Sequence, residues 1–243
     1  MASTDAPTTI EPSSAAVSPT DAPDLWFELP PGFMEFDLGE DPETSILRMA
    51  DAADALFATA TQEQKFRLVV SSQYILQMMI AAGAEHVSSC LLRMPGDELS
   101  QGTLCVIIER PETGPQSQDR QGAAKRTASQ WRSMFPDADI GLVMLPYGIS
   151  ALCIRDQELQ IPGELFGLAD PIPTRVRQAQ FCVPLKTGPG SALFVFTTED
   201  NKHWSEYLDV LSGIMKSVST KEPHRGHGPV VDGSAAAETE KPA

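Results

Sequence analysis

The sequence predicts an α+β domain: a mainly antiparallel sheet of about six strands with three or four helices. Three observations carry this reading. Strand-like segments come in pairs separated by Gly/Pro turns, as Ile140–Leu145 and Ile149–Ile154 do around Pro146-Tyr147-Gly148. Helical periodicities fall between these pairs instead of alternating with single strands, which argues against βαβ units. The clearest of them is Trp204, Tyr207, Leu208, Leu211, Ile214, Met215 and Val218, recurring at three- and four-residue steps.

The elements follow in order. Residues 1–23 are Ala, Ser, Thr, Pro and Asp with almost no large apolar side chains, so a disordered tail is expected there and again at 220–243. A single domain is expected over 24–219. Leu25–Leu29 reads as a short strand stopped by Pro30-Pro31-Gly32, and Phe33–Leu38 as a second extended piece. A helical insertion is expected over about 42–83. Pro42 suits a first turn, with Asp41 as N-cap and Ile46, Met49, Ala53, Leu56 and Phe57 at helical spacing. Thr61 and Gln64 form a capping-box pattern that starts a second helix, and Gly83 is placed to end it in a left-handed conformation. This second helix is apolar on most sides, which predicts that it lies between layers or in a dimer interface.

Val87–Met94 and Thr103–Glu109 read as strands separated by Pro95-Gly96-Asp97. The latter is apolar on both faces and is therefore expected in the middle of the sheet. After a Pro/Gly/Gln loop at 111–118, a helix from Arg120 to Met134 carries Ala123, Thr127, Gln130 and Trp131 along one weakly apolar stripe, suited to covering an edge. Residues 157–174 read as a Pro/Gly-punctuated connection packed onto the body through Leu165-Phe166-Gly167-Leu168. Val176–Val183 and Ala192–Thr197 form a last hairpin around Gly188-Pro189-Gly190, and Asp200 is placed to cap the final helix.

The chain has 243 residues, 42% of them hydrophobic, enough for one ordinary domain with a real core. Its net charge is −15. Residues 1–24 hold Asp5, Glu11, Asp21 and Asp24 with no base, and 218–243 are nearly balanced, so most of the negative charge belongs to the body. Such a field repels a phosphate backbone and an anionic membrane, so neither nucleic acid nor membrane is an expected partner. No apolar run approaches a membrane span, and no leader or lipobox cysteine is visible; a cytoplasmic location is expected. Cys90, Cys105, Cys153 and Cys182 lie in apolar strand-like runs without a CxxC, the pattern of buried reduced thiols.

The search for chemistry yields little. There is no Gly-x-Ser-x-Gly, no P-loop and no Gly-x-Gly-x-x-Gly. His86 and Cys90 share a strand face but have no further ligand near in sequence, and His224 and His227 lie in the C-terminal tail. No catalytic residue, metal or cofactor is therefore expected. Scattered polar residues (Arg155, Asp156, Arg175, Arg177 and His203) leave open a small-molecule or enzymatic cleft under the 157–174 segment.

Several motifs resemble PsbP-like domains, particularly the LpqN-type actinobacterial members. They are Val143-Met144-Leu145-Pro146-Tyr147-Gly148, Phe181-Cys182-Val183-Pro184-Leu185, Leu193-Phe194-Val195-Phe196-Thr197-Thr198 and the closing helix to about Ser217. The opening Leu29-Pro30-Pro31-Gly32-Phe33 is similar to the start of such domains. The resemblance implies a curved sheet flanked by helices. It also implies an accessory role, since the family's members mostly bind other proteins.

The expectation is thus a non-catalytic protein-binding domain. Two surfaces are candidates: an acidic loop (Glu35, Asp37, Glu40 and Asp41) for a basic partner, and the apolar second helix (Phe66, Val70, Tyr74, Met78 and Met79) for homodimer formation.

Overall fold

The computed structural model describes residues 25–57, 60–94, 99–110, 119–186 and 190–222. The expected disordered stretch at 1–23, all of the one at 220–243 beyond residue 222, the Pro95-Gly96-Asp97 break, the 111–118 loop and the tip of the 188–190 turn lie outside the described residues. So do His224 and His227.

Seven strands form one antiparallel sheet, flanked by helices on both faces. In chain order the elements are β1 (Phe33–Glu35), α1 (Pro42–Leu56), α2 (Gln62–Ala81), β2 (Ala84–Arg93), β3 (Leu99–Glu109), α3 (Arg120–Met134), β4 (Asp139–Leu145), β5 (Gly148–Ile161), β6 (Ile172–Pro184), β7 (Ser191–Thr198) and α4 (Trp204–Ser217). The order across the sheet is β1-β2-β3-β7-β6-β5-β4. The sheet is open, with β1 and β4 as its edges and β7 at its centre.

Alternation along the strands decides which face each helix covers. Leu104, Val106, Ala179, Phe181, Val183, Phe194 and Phe196 point to one face and pack with Trp204, Tyr207, Leu211, Ile214 and Met215 of α4. The opposite face is covered in two patches. Val87 and Cys105 meet Met49 and Ala53 of α1 and Val69 and Leu76 of α2, whereas Ala151 and Cys182 meet Ala128 of α3. β3 therefore buries both faces, as its sequence predicts. Its Gly102 lies under Phe196, whose ring occupies the space a Cβ would take.

The starts of α1 and α2 agree with the sequence, but that of α4 does not: its N-cap is His203 with no side-chain cap bond, and Asp200 instead accepts from the Lys202 and His203 amides just ahead of the helix. The Asp41 side chain accepts from the Thr44 amide at 3.0 Å, and Thr61 and Gln64 form the reciprocal capping box. Gly83 has φ of 82°, the left-handed conformation its position after α2 requires.

Three further expectations are corrected. Leu25–Leu29 makes only an isolated bridge, Trp26 to Ser219, because α4's end and not another strand lies beside it. Residues 157–174 are not a packed connection. Most of them extend β5 and β6, paired from Gln157↔Val176 to Ile161↔Ile172, with a single 3-10 turn at Gly163–Phe166. This two-stranded arm runs past the end of β7, whose last partner on β6 is Arg177. One side of this arm is polar, with Glu158, Gln160 and Arg175 exposed, whereas Ile161 and Val176 are buried on the other, and Leu165 and Leu168 at its tip stay exposed. Finally, of the two places expected for α2, it does not lie between layers of this chain: it packs beside α1 and over β2, and its other side faces outward.

Candidate functional site

The two surfaces expected to bind partners begin at β1 and continue through the α1–α2 hairpin. Glu35 ends β1 and is exposed. Asp37 turns back on its own loop, its Oδ1 accepting from the Gly39 amide at 2.9 Å. Glu40 accepts from the Arg48 guanidinium at 2.9 Å, and Arg48 in turn lies 5.7 Å from the Phe36 ring centroid. Asp41 is spent on capping α1; its hydrogen bonds from Thr44 hold its carboxyl below the ordinary range. Of the four acids, Glu40 and Asp41 thus have local structural partners, and Asp37 organises its turn.

On α2 the buried side is Val69, Gln73 and Leu76. Phe66 is 58% exposed and Met78 50%, whereas Val70 and Tyr74 are half-buried and Met79 packs into the core shared with α1. Twelve positions separate Phe66 from Met78, about 18 Å of helix rise, so the α2 residues named from sequence do not make one patch. α1 leaves two further large apolar side chains exposed: Leu47, 61% exposed, and Ile46, 41% exposed. The sequence contains the signal for Leu47, an apolar residue out of phase with Met49 and Ala53 on a helix whose outer side carries Asp51 and Asp54.

A shallow cavity of ≈ 270 Å³ lies at the α1–α2 corner, lined by Phe57, Leu68, Leu91, Gln64, Lys65 and Gln101. Two of its polar groups are committed: Lys65 pairs with Asp54 at 2.8 Å, and Gln64 accepts from the Thr61 amide at 2.9 Å.

The cleft alternative gathers only in part. Asp156 accepts from Arg175 at 2.9 Å and lies 4.0 Å from Arg177 Nε, and Arg177 sits over the Trp204 ring beside His203. Arg155 is on the opposite face of the sheet. It stacks 4.1 Å from the Phe135 centroid and donates to Gln157 at 2.8 Å and Gln178 at 3.1 Å. Strand alternation separates neighbours in sequence onto two faces, so these residues do not converge.

The closest gathering of potential nucleophile and acid–base groups lies at the start of α4. Asp200 Oδ2 accepts from Ser100 Oγ at 2.5 Å and bonds His203 Nδ1 at 2.7 Å; Ser100 Oγ is 2.7 Å from the Tyr207 hydroxyl. This is not the order of a nucleophilic triad, in which the imidazole takes the serine proton. Here the carboxylate separates serine from imidazole. Burial alone would raise the Asp200 pKa, but the hydrogen bonds from Ser100 and His203 outweigh it and hold it at about 2. Burial pushes Tyr207 up to about 12. A carboxylate this acidic is a poor base near neutrality, and the cluster reads as a clamp between β3 and α4.

The four thiols are free and buried. Burial pushes Cys90 to about 12 and Cys105 to about 11, and raises Cys153 and Cys182, so their thiolates are suppressed. His86 is occupied by Ser88 at 3.1 Å and by an edge contact with Phe27. No helix among the described residues is long and apolar enough to cross a membrane.

No family model matches the chain, and no curated protein does. Among solved structures, a crystal structure from Bacteroides thetaiotaomicron VPI-5482 is similar over 83% of this chain, at 9% identity and a TM-score of 0.34. The match spans 47% of that chain.

Proposed function

We propose that this chain is a non-catalytic protein-binding domain that engages a basic partner through the outer side of the α1–α2 hairpin. The observation that carries the reading is the set of large apolar side chains left exposed there: Leu47 at 61%, Phe66 at 58%, Met78 at 50% and Ile46 at 41%. Exposed carboxylates Glu43 and Asp51 stand on α1, while Asp54 and Glu63, also exposed, pair with Lys65 and Arg67 at 2.8 Å. Apolar anchors bordered by acids fit a partner segment with an apolar face and basic flanks. The resemblance to PsbP-like domains, whose members mostly bind proteins, supports the same reading.

The test is affinity capture from source-cell lysate with the full chain, run beside Leu47→Asp and Phe66→Asp variants. The expected result is a saturable partner that weakens with salt and is lost from both variants. Capture that both variants leave unchanged, or no capture at all, would overturn the proposal.

A further inference from the structure

β4, Asp139–Leu145, is a terminal strand of the sheet. Edge strands usually carry a guard against pairing with another chain: a bulge, a proline, an inward charge or very short length. The opposite edge, β1, has only three residues. β4 has seven, its pairing with β5 is unbroken from Asp139↔Ile154 to Leu145↔Gly148, and no charge or proline occurs between Ile140 and Leu145. Its one side-chain guard among the described contacts is Arg132 of α3, which donates to the Ile140 carbonyl at 3.2 Å.

The side chains along this edge are apolar and unusually exposed. Met144 is 75% exposed, the highest value among the exposed large hydrophobic residues, and Leu142 is 40% exposed. Alternation puts both on the face that carries α3, in line with Ile140, which packs near Trp131.

We propose that two copies of this chain associate through β4, antiparallel, joining their sheets into one. A two-fold axis at Leu142 sets this residue opposite itself and Ile140 opposite Met144 of the second copy, apolar against apolar on one face. Charge fits the same arrangement. Exposed Asp137 and Asp139 stand at the start of the strand. Exposed Lys186 stands at the other end, its Nζ 4.3 Å from the ring centroid of Tyr147 in the turn after β4. Antiparallel pairing brings the carboxylates of each copy toward the ammonium of the other. Parallel pairing would set carboxylates beside carboxylates. Pairing also replaces the Arg132 contact with a backbone hydrogen bond.

The test is sedimentation velocity on the full chain from about 1 to about 300 µM, where a mass-action dimer reveals itself by its concentration dependence. Wild type is expected to dimerise, and Met144→Lys to weaken the dimer at least about tenfold while leaving the circular dichroism unchanged, since this side chain is outside the core. A Leu142→Cys variant supplies a second reading. The native thiols are buried, so the new one is the accessible site, and it is expected to form a self-disulfide faster than a control cysteine at exposed Gln62. A monomer throughout the range would overturn the proposal, including one whose β4 edge binds an extended peptide instead. A dimer that survives Met144→Lys with no preferential Leu142→Cys crosslink would also overturn it, as would one abolished by Phe66→Asp alone.

Discussion

The hydroxyls of Ser100 and Tyr207, 107 positions apart, share a 2.7 Å hydrogen bond that joins the start of β3 to the first turn of α4. Asp200 completes the clamp from the β7–α4 connection, and its other oxygen accepts from the amides of Lys202 and His203 at 3.0 and 3.2 Å. All the polar atoms here are supplied by residues that the core places, so a change in one partner leaves the others buried and underbonded. Tyr207→Phe is expected to cost about 1–2 kcal/mol, the range for removing one partner of a buried hydrogen bond. Urea unfolding of the variant beside wild type checks this; no shift in midpoint would show that the hydroxyl contributes nothing.

The same clamp predicts an acid limb of stability. Asp200 has a folded pKa of about 2 against an ordinary 3.8. A depressed carboxylate contributes its stability fully above the unfolded value and loses it as pH falls through the folded value. Asp200→Asn is expected to be less stable at neutral pH and to lack this particular decline between pH 3.8 and about 2. His86 acts in a higher window. Burial, partly opposed by the charge of Glu35, lowers its pKa from 6.5, so the unfolded chain takes up its proton first and stability falls as pH drops below 6.5. His86→Asn is expected to flatten that decline, and denaturant midpoints measured across both windows separate the two groups.

The facing of α2 gives a third prediction. Leu76 is 3% exposed and meets the sheet, whereas Phe66 is 58% exposed. Leu76→Ala is expected to cost about 2–4 kcal/mol through lost burial and a cavity. Phe66→Ser is expected to stay within about 0.5 kcal/mol of wild type, despite the larger side chain removed. Comparable losses at both positions would mean that α2 is rotated from the facing described.

Much of this fold is legible in local signals. Asp41, Thr61 and Gly83 announce helix ends by capping chemistry that acts within a few residues, and they do so in the structure. Trp204 to Met215 announce a buried stripe because α4 lies on the sheet along its whole length. What local pattern does not contain is the partner of each apolar side. On α2, Val70 and Met79 read like Phe66 and Met78, and only the placement of α1 and β2 decides which are covered. The α3 stripe illustrates the same limit: Trp131 is read correctly, but the residues that reach the sheet are Ala124 and Ala128, one position from the expected Ala123 and Thr127. The β5–β6 arm escapes because Pro162, Gly163, Gly167, Pro171 and Pro173 mask a short alternation, Leu159 and Ile161 on β5 and Ile172 and Val176 on β6, set against exposed Glu158, Gln160, Pro173 and Arg175. The Ser100–Asp200–His203–Tyr207 cluster is invisible in sequence, since its members are brought together by β3–β7 pairing, Gly102 opposite Thr198.

Gln73 departs from the polar satisfaction seen around Tyr207. It lies on the inner side of α2 between Val69 and Leu76, only 8% exposed, and neither its amide oxygen nor its amide nitrogen has a hydrogen-bond partner among the described residues. A buried amide without partners costs about 1–3 kcal/mol relative to one that is bonded, and an apolar side chain of similar length and shape avoids that cost. Met has nearly the volume of Gln and adapts to irregular space. Gln73→Met is therefore expected to stabilise the protein by about 1 kcal/mol or more, whereas Gln73→Ala removes the amide but leaves a cavity and should gain less or lose stability. Thermal and urea unfolding of the pair check this, and a loss in Gln73→Met as large as in Gln73→Ala would show that the amide is bonded after all.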